Sequence, residues 1–298
     1  MPVRYTLSDE DGDRWRQLQF RTGDIVISTR SKSGTTWMQM ICALLIFQSP
    51  DLPAPLSALS PWLDRTTEPI DSVVGRLEAQ QHRRFIKTHT PLDGIPVDPR
   101  ATYIVVGRHP LDMAVSLYHQ GNNIDRRRLR QLTGQPESGE AEPARPDLHS
   151  WLLRWINSDS SPAEQLDGIR GVLWHITDAW KRGDQPNIVL VHYEDLSSDL
   201  EDQMRRLADR LGIPIPEPRW PELVRAATFD SMRDHVDQLT PNTGGILKDN
   251  KAFFRRGRSG AGAETLTSQE MEHYYQRTAD LAPSDVLQWL HRVKDRAT

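Results

Sequence analysis

Four short stretches of this sequence hold residues that can do chemistry together. The first is Lys32-Ser33-Gly34-Thr35-Thr36-Trp37, set between an apolar run and a helical pattern. A strand, loop and helix in that order present free backbone N–H groups and the positive end of a helix dipole, which together hold phosphate. Gly34 lets the backbone approach an anion, Ser33, Thr35 and Thr36 offer hydroxyl donors, and Lys32 brings charge. The stretch is not a Walker A motif, whose lysine follows the glycine, and Gly23 is too far from Gly34 to complete one. The plain alternative is an ordinary helix start with Ser33 or Thr35 as N-cap.

The second stretch, Phe85 to Pro91, separates Lys87 and His89 by two residues, so both project to one side of an extended chain. A histidine titrates near neutrality and can take a proton from a hydroxyl; a structural histidine is the other reading. In the third, Arg108 precedes a helix start with Pro110 at its first position and Asp112 in its first turn. Arg108 is placed to grip a phosphate, with Ser116 donating to it from further along the helix. Alternatively, Arg108 pairs with Asp112 at the surface and Ser116 is incidental. The fourth stretch, residues 248–260, carries Lys248, Lys251, Arg255, Arg256 and Arg258, and either closes over a phosphate or forms a solvated face.

Four compact runs, 24–28, 83–87, 102–107 and 187–192, read as buried strands, with helical patterns at 35–47, 110–120 and 196–211. The alternation predicts an α/β fold: a central, mostly parallel sheet flanked by helices, with the four polar clusters gathered at the strands' carboxyl ends. The 298 residues suit one large domain, 1–298. Residues 50–61 and 120–146 read as loops, the second as a mobile lid reaching to 148, and 243–264 as a covering loop. Trp151 and Trp155, four apart, read as helix core rather than pocket wall.

With 37 basic against 41 acidic residues, a net charge of -4 gives no field toward nucleic acid or an anionic membrane, so an anion site must be local. The single cysteine, Cys42, excludes an intrachain disulfide and sits among apolar neighbours as a buried thiol. No run approaches the ~20 apolar residues of a bilayer span, and no signal peptide is evident, so a cytoplasmic protein without stable membrane insertion is expected.

In order along the chain, KSGTTW, KTH, the R-x-P-x-D-x-x-V-S-x-Y-H of residues 108–119, YEDL from Tyr193 and FFRRG ending at Gly257 resemble the cytosolic-type sulfotransferases. Those enzymes use 3'-phosphoadenosine 5'-phosphosulfate (PAPS) and release adenosine 3',5'-bisphosphate (PAP). The resemblance implies a P-loop-like phosphosulfate site at Lys32, Ser33, Gly34, Thr35 and Thr36, with Trp37 stacked on adenine. It puts the 3'-phosphate on Arg108 and Ser116, joined by Arg255, Arg256 and Gly257, and lines the adenine pocket with Tyr193 and Phe229. His89 becomes the general base with Lys87 beside it, and Lys32 meets the charge on the leaving oxygen. No metal is implied, since fixed lysines suit a sulfuryl group. The acceptor is a small-molecule or lipid hydroxyl: a phenol, sterol, alcohol or glycolipid.

Three features depart from the family pattern. Arg30-Ser31 stands where a proline usually precedes the lysine, Gly260-Ala261-Gly262-Ala263 lies where GDWK often follows, and no dimerisation pattern is evident, which leaves the oligomeric state open. A P-loop nucleotide or small-molecule kinase and a non-catalytic nucleotide-binding protein are the alternatives.

Overall fold

The computed structural model describes residues 2–7, 10–134, 145–242, 244–257 and 259–292. Strands β1 (Ile25–Ser28), β2 (Phe85–Thr88), β3 (Thr102–Gly107) and β4 (Ile188–His192) form one wholly parallel sheet in the order β2-β1-β3-β4. A parallel sheet must bury both faces, which is why its strands are continuous apolar runs rather than alternating ones. One face, with Val26, Ile86, Tyr103 and Val105, packs under the helices Pro110–Asn123, Leu148–Ile156, Ile169–Trp180 and Ser284–His291. The other, with Ile25, Ile27, Phe85, Ile104 and Val106, packs under α1 (Thr35–Phe47) and the helix Leu200–Leu211.

The chain steps from β1 outward to β2 and then returns past β1 to β3. Strand order therefore reverses between β1 and β3, and the crevice beyond their carboxyl ends is where such sheets bind ligands. The loop after β1 holds Lys32 and the residue after β3 is Arg108, so the topology alone brings those two together.

The helix expected at 35–47 forms with those bounds, and the one expected at 110–120 runs on to Asn123. Residues 83–84 do not belong to β2: Arg84 turns inward to pair with Asp24, both almost fully buried, and the strand starts at Phe85. The helix expected at 196–211 is two, Tyr193–Ser198 and Leu200–Leu211. Asp199 divides them in a non-helical conformation (φ −150°, ψ 75°), its carboxylate accepting from Asp202 N at 3.2 Å as an N-cap.

Much of the segment expected to be loop at 120–146 is helical, through Asn123 and again over Arg126–Thr133. Asp125 caps that second helix by accepting from Arg128 N, and Gly134 ends it in a left-handed conformation. Residues 135–144 lie outside the described residues. In the covering loop, Lys251–Phe253 makes a 3₁₀ turn and Ala261–Thr265 a short helix. Asp112 lies in the helix's first turn as expected, and its carboxylate accepts from the backbone N–H of Gly260 and Gly262, each at 2.9 Å. It thus anchors the covering loop to the helix after β3.

Cys42 is buried in α1, where burial pushes its thiol up to about 12. Among the described residues no helix is long and apolar enough to cross a membrane.

Candidate active site

One cavity of about 830 Å³ opens beyond the carboxyl ends of the strands. Lys32, Gly34, Thr35, Thr36 and Trp37 line it from the loop after β1 and the start of α1, Lys87 and His89 from the end of β2 and just beyond it, and Arg108 and Ser116 from just after β3 and the helix that follows. Tyr193, Phe229, Arg255, Arg256 and Gly257 complete that side. Ser33 alone among the expected site residues is not in the wall; it is buried, its N–H donating to Arg30 O at 3.1 Å to close the turn.

The loop geometry explains why these residue types stand where they do. Gly34 is the N-cap of α1 with φ 104°, a region open to glycine, and a Cβ there would lie 3.1 Å from the Tyr193 ring. Lys32 is itself left-handed (φ 66°), strain that costs a non-glycine residue about 1–3 kcal/mol. Its carbonyl accepts from Arg108 Nη1 at 3.0 Å, locking the lysine loop to the end of β3. At the far side, Gly257 (φ 60°) lies so close over the Phe229 ring that a Cβ would be 2.4 Å from Cγ.

Cations dominate this half. Burial lowers the Lys32 ammonium to about 7, and the nearby charges of Arg108, Lys87 and Arg255 add to the fall. Arg108 Nε is buried without a hydrogen-bond partner, and its guanidinium lies 4.2 Å from the Tyr193 ring centroid. Crowded cations with an unsatisfied donor are what an anionic ligand with two phosphate ends would satisfy. Trp37 and Tyr193 meet edge to face at 5.2 Å, with Trp37 Nε1 donating to Ala227 O at 2.8 Å.

His89 is buried, with Nδ1 donating to Thr29 O, so Nε2 carries the lone pair. Burial, then the charges of Lys87 and Arg30, hold the imidazole well below its usual value, leaving it neutral near pH 7. Trp62 lies between the pair: Lys87 Nζ sits 4.1 Å from its ring centroid and the His89 ring meets it edge to face at 4.7 Å. The contact follows from pairing, because the segment around Trp62 bridges alongside Lys87 as a short extension of the sheet beyond β2.

Other wall residues have no motif to announce them: Thr6, Glu10, Arg65, Ile124, Leu129 and the segment 163–167. Trp62 also lines the cavity, whereas Trp155 is in the core as its spacing predicts and Trp174 lies outside, bonded to Tyr5 Oη at 3.0 Å. Asp64, next to Trp62, is also without a sequence signal. Its carboxylate accepts from Thr88 Oγ1 and from Thr90 Oγ1 (2.6 Å), the residues on either side of His89.

A family model described as a sulfotransferase domain matches residues 22–292. The chain belongs to the sulfotransferase family. A glycolipid sulfotransferase of Mycobacterium bovis is 43% identical over 300 residues, covering 94% of this chain and 91% of that protein. Sulfotransferase 1A1 of Bos taurus is 25% identical, covering 86% and 83%. Among solved structures, mouse sulfotransferase SULT7A1 complexed with PAP superposes with TM-score 0.68 at 20% identity, covering 93% of this chain and 90% of that one. Retinol dehydratase with androsterone and PAP gives 0.65 at 18%, covering 91% and 85%. At those identities the structures establish a shared fold. This sulfotransferase is thus a PAPS-dependent enzyme acting on a hydroxyl acceptor, which displaces both the kinase and the non-catalytic alternatives.

Proposed function

We propose that His89 is the general base and that the acceptor is a hydroxyl on a lipid-like molecule such as a glycolipid. His89 Nε2 takes the hydroxyl proton as the acceptor oxygen bonds to sulfur and the bridging S–O bond breaks, releasing PAP. Lys32 neutralises the charge that grows on the bridging oxygen, and Lys87 steadies the sulfuryl oxygens. Thr35, Thr36 and the backbone around Ser33 and Gly34 receive the 5' end, and Arg108 and Ser116, with Arg255, Arg256 and Gly257, receive the 3'-phosphate. Trp37, Tyr193 and Phe229 form the adenine slot.

The observation that carries this reading is that Lys32, Lys87, His89 and Arg108, from three strand ends, face one cavity. The same cavity is also lined by the apolar residues Leu117, Ile124 and Leu129, which would wrap a hydrocarbon. The mycobacterial relative, similar over nearly the whole chain, carries the name glycolipid sulfotransferase. A cytoplasmic location and a 1–298 single domain, with 243–264 as the nucleotide cover, belong to the same proposal.

The decisive assay follows PAP release with PAPS and a panel of glycolipids, sterols and phenols, for the wild type and for His89→Ala. The variant should lose about 10²-fold or more in kcat while PAP affinity stays within about twofold. Near-normal turnover would remove His89 from the role; activity confined to small phenols would remove the lipid acceptor.

A further inference from the structure

Arg30 is 2% exposed, though a guanidinium has no neutral form to retreat to. It stands two residues before Lys32, and three separate parts of the site meet on it. Its Nη1 donates to the backbone carbonyl of His89. Its Nε and Nη2 reach Asp167 Oδ1 at 3.2 and 2.7 Å, in the cavity-lining segment 163–167. Its own carbonyl accepts from Ser33 N, inside the donor loop. Thr29, the preceding residue, accepts from the His89 ring. Consecutive residues after β1 therefore hold both handles of the imidazole: Thr29 the ring and Arg30 the main chain.

We infer that Arg30 is a positioning residue for His89, braced by Asp167, that fixes the base against the donor loop and ties the acceptor-side segment to both. The inference rests on His89 being the base. An ion pair with one buried and one part-exposed partner is weak evidence for stability, so its place at the junction of three site elements calls for another account. Asp167 is in turn held from the far side, its carbonyl accepting from Trp155 Nε1 at 2.8 Å, which makes the brace continuous with the core. The charge also matters. The groups around His89 are Lys87 on β2, Arg30 after β1 and His175 on the helix Ile169–Trp180, and all three disfavour imidazolium. Asp64 lies nearby, engaged with Thr88 and Thr90, and Asp167 partly offsets Arg30.

Arg30→Met removes the clamp and its charge while keeping bulk. It should lower kcat by about tenfold or more with PAP affinity nearly unchanged, because small displacements of a reacting group are costly. It should also move the acid limb of kcat/KM to higher pH, toward the ordinary histidine range near 6.5. Arg30→Lys, which keeps the charge and one donor, should restore most of the rate and the wild-type limb. Asp167→Asn leaves Arg30 in place but less neutralised, so its limb should move to lower pH; this variant decides the matter if Arg30→Met does not fold. A merely structural role would lower thermal stability in each variant and leave the limbs where they are. Unshifted limbs in the folded variants would overturn the inference. Near-normal turnover in His89→Ala would instead sink the reading beneath it, so the two failures are distinguishable.

Discussion

The two halves of the cavity are built in different ways. The donor half comes from a few contiguous motifs, each at a strand end or helix start, whose glycines and cations have backbone reasons to be where they are. The remaining wall, which the proposal gives to the acceptor, comes from dispersed segments: Thr6 and Glu10 near the N-terminus, Trp62 and Arg65 beside β2, Ile124 and Leu129 around one helix cap, and 163–167. A phosphate needs fixed N–H groups and charges, and these are cheapest to fix where a loop enters a helix. An apolar acceptor needs only shape and dryness, which many loops can supply. Donor-side substitutions should therefore act on every acceptor alike, and acceptor-side ones should discriminate.

The largest effect is expected at the boundary between the halves, where His89→Ala should cost about 10²-fold or more in kcat with all acceptors. Next, Arg108→Ala should weaken PAP binding by ~10–10²-fold and AMP binding far less, measured by calorimetry, because a buried phosphate contact is lost only for the 3'-phosphorylated nucleotide. Gly257→Ala should weaken PAP by about tenfold, since the added methyl meets the Phe229 ring and the left-handed backbone is strained. Trp62→Ala should lower kcat/KM by about tenfold for bulky apolar acceptors and less for small ones, leaving PAP affinity alone. An equal loss with every acceptor would blur the division between halves.

A proton count sharpens the donor side further. With Lys32 held at about 7 in the free enzyme, most of its amines are neutral at pH 8.5. An anion beside it restores the charged form, so binding PAP should take up as much as about one proton at pH 8.5 and almost none at pH 5.5. Calorimetry in buffers of different ionisation enthalpy reads this directly, and Lys32→Met should abolish the uptake.

What the sequence makes legible follows the same division. The sheet was legible because four apolar runs are too short for helices and each ends in polar residues; their edges slipped where a charged residue, Arg84, pairs internally with Asp24. The donor motifs were legible because their spacing encodes local backbone geometry. Asp112 stands in the helix's first turn as its spacing predicts, but spacing cannot say that a glycine loop about 150 positions later will claim its carboxylate. Arg30 appeared only as a departure from the family pattern, and nothing local announced its contact with Asp167. The helix Arg126–Thr133 was hidden by its charge, since its four arginines leave only Leu129 and Leu132 to mark the half-buried face.

The most direct test of the account is nucleotide discrimination. Titrated into the enzyme without acceptor, PAP should bind at least about tenfold more tightly than AMP, and Arg108→Ala should erase most of that preference. Equal binding of the two nucleotides by the wild type would contradict the assignment of Arg108 and the covering loop to the 3'-phosphate, and with it the claim that these distant segments gather around one donor.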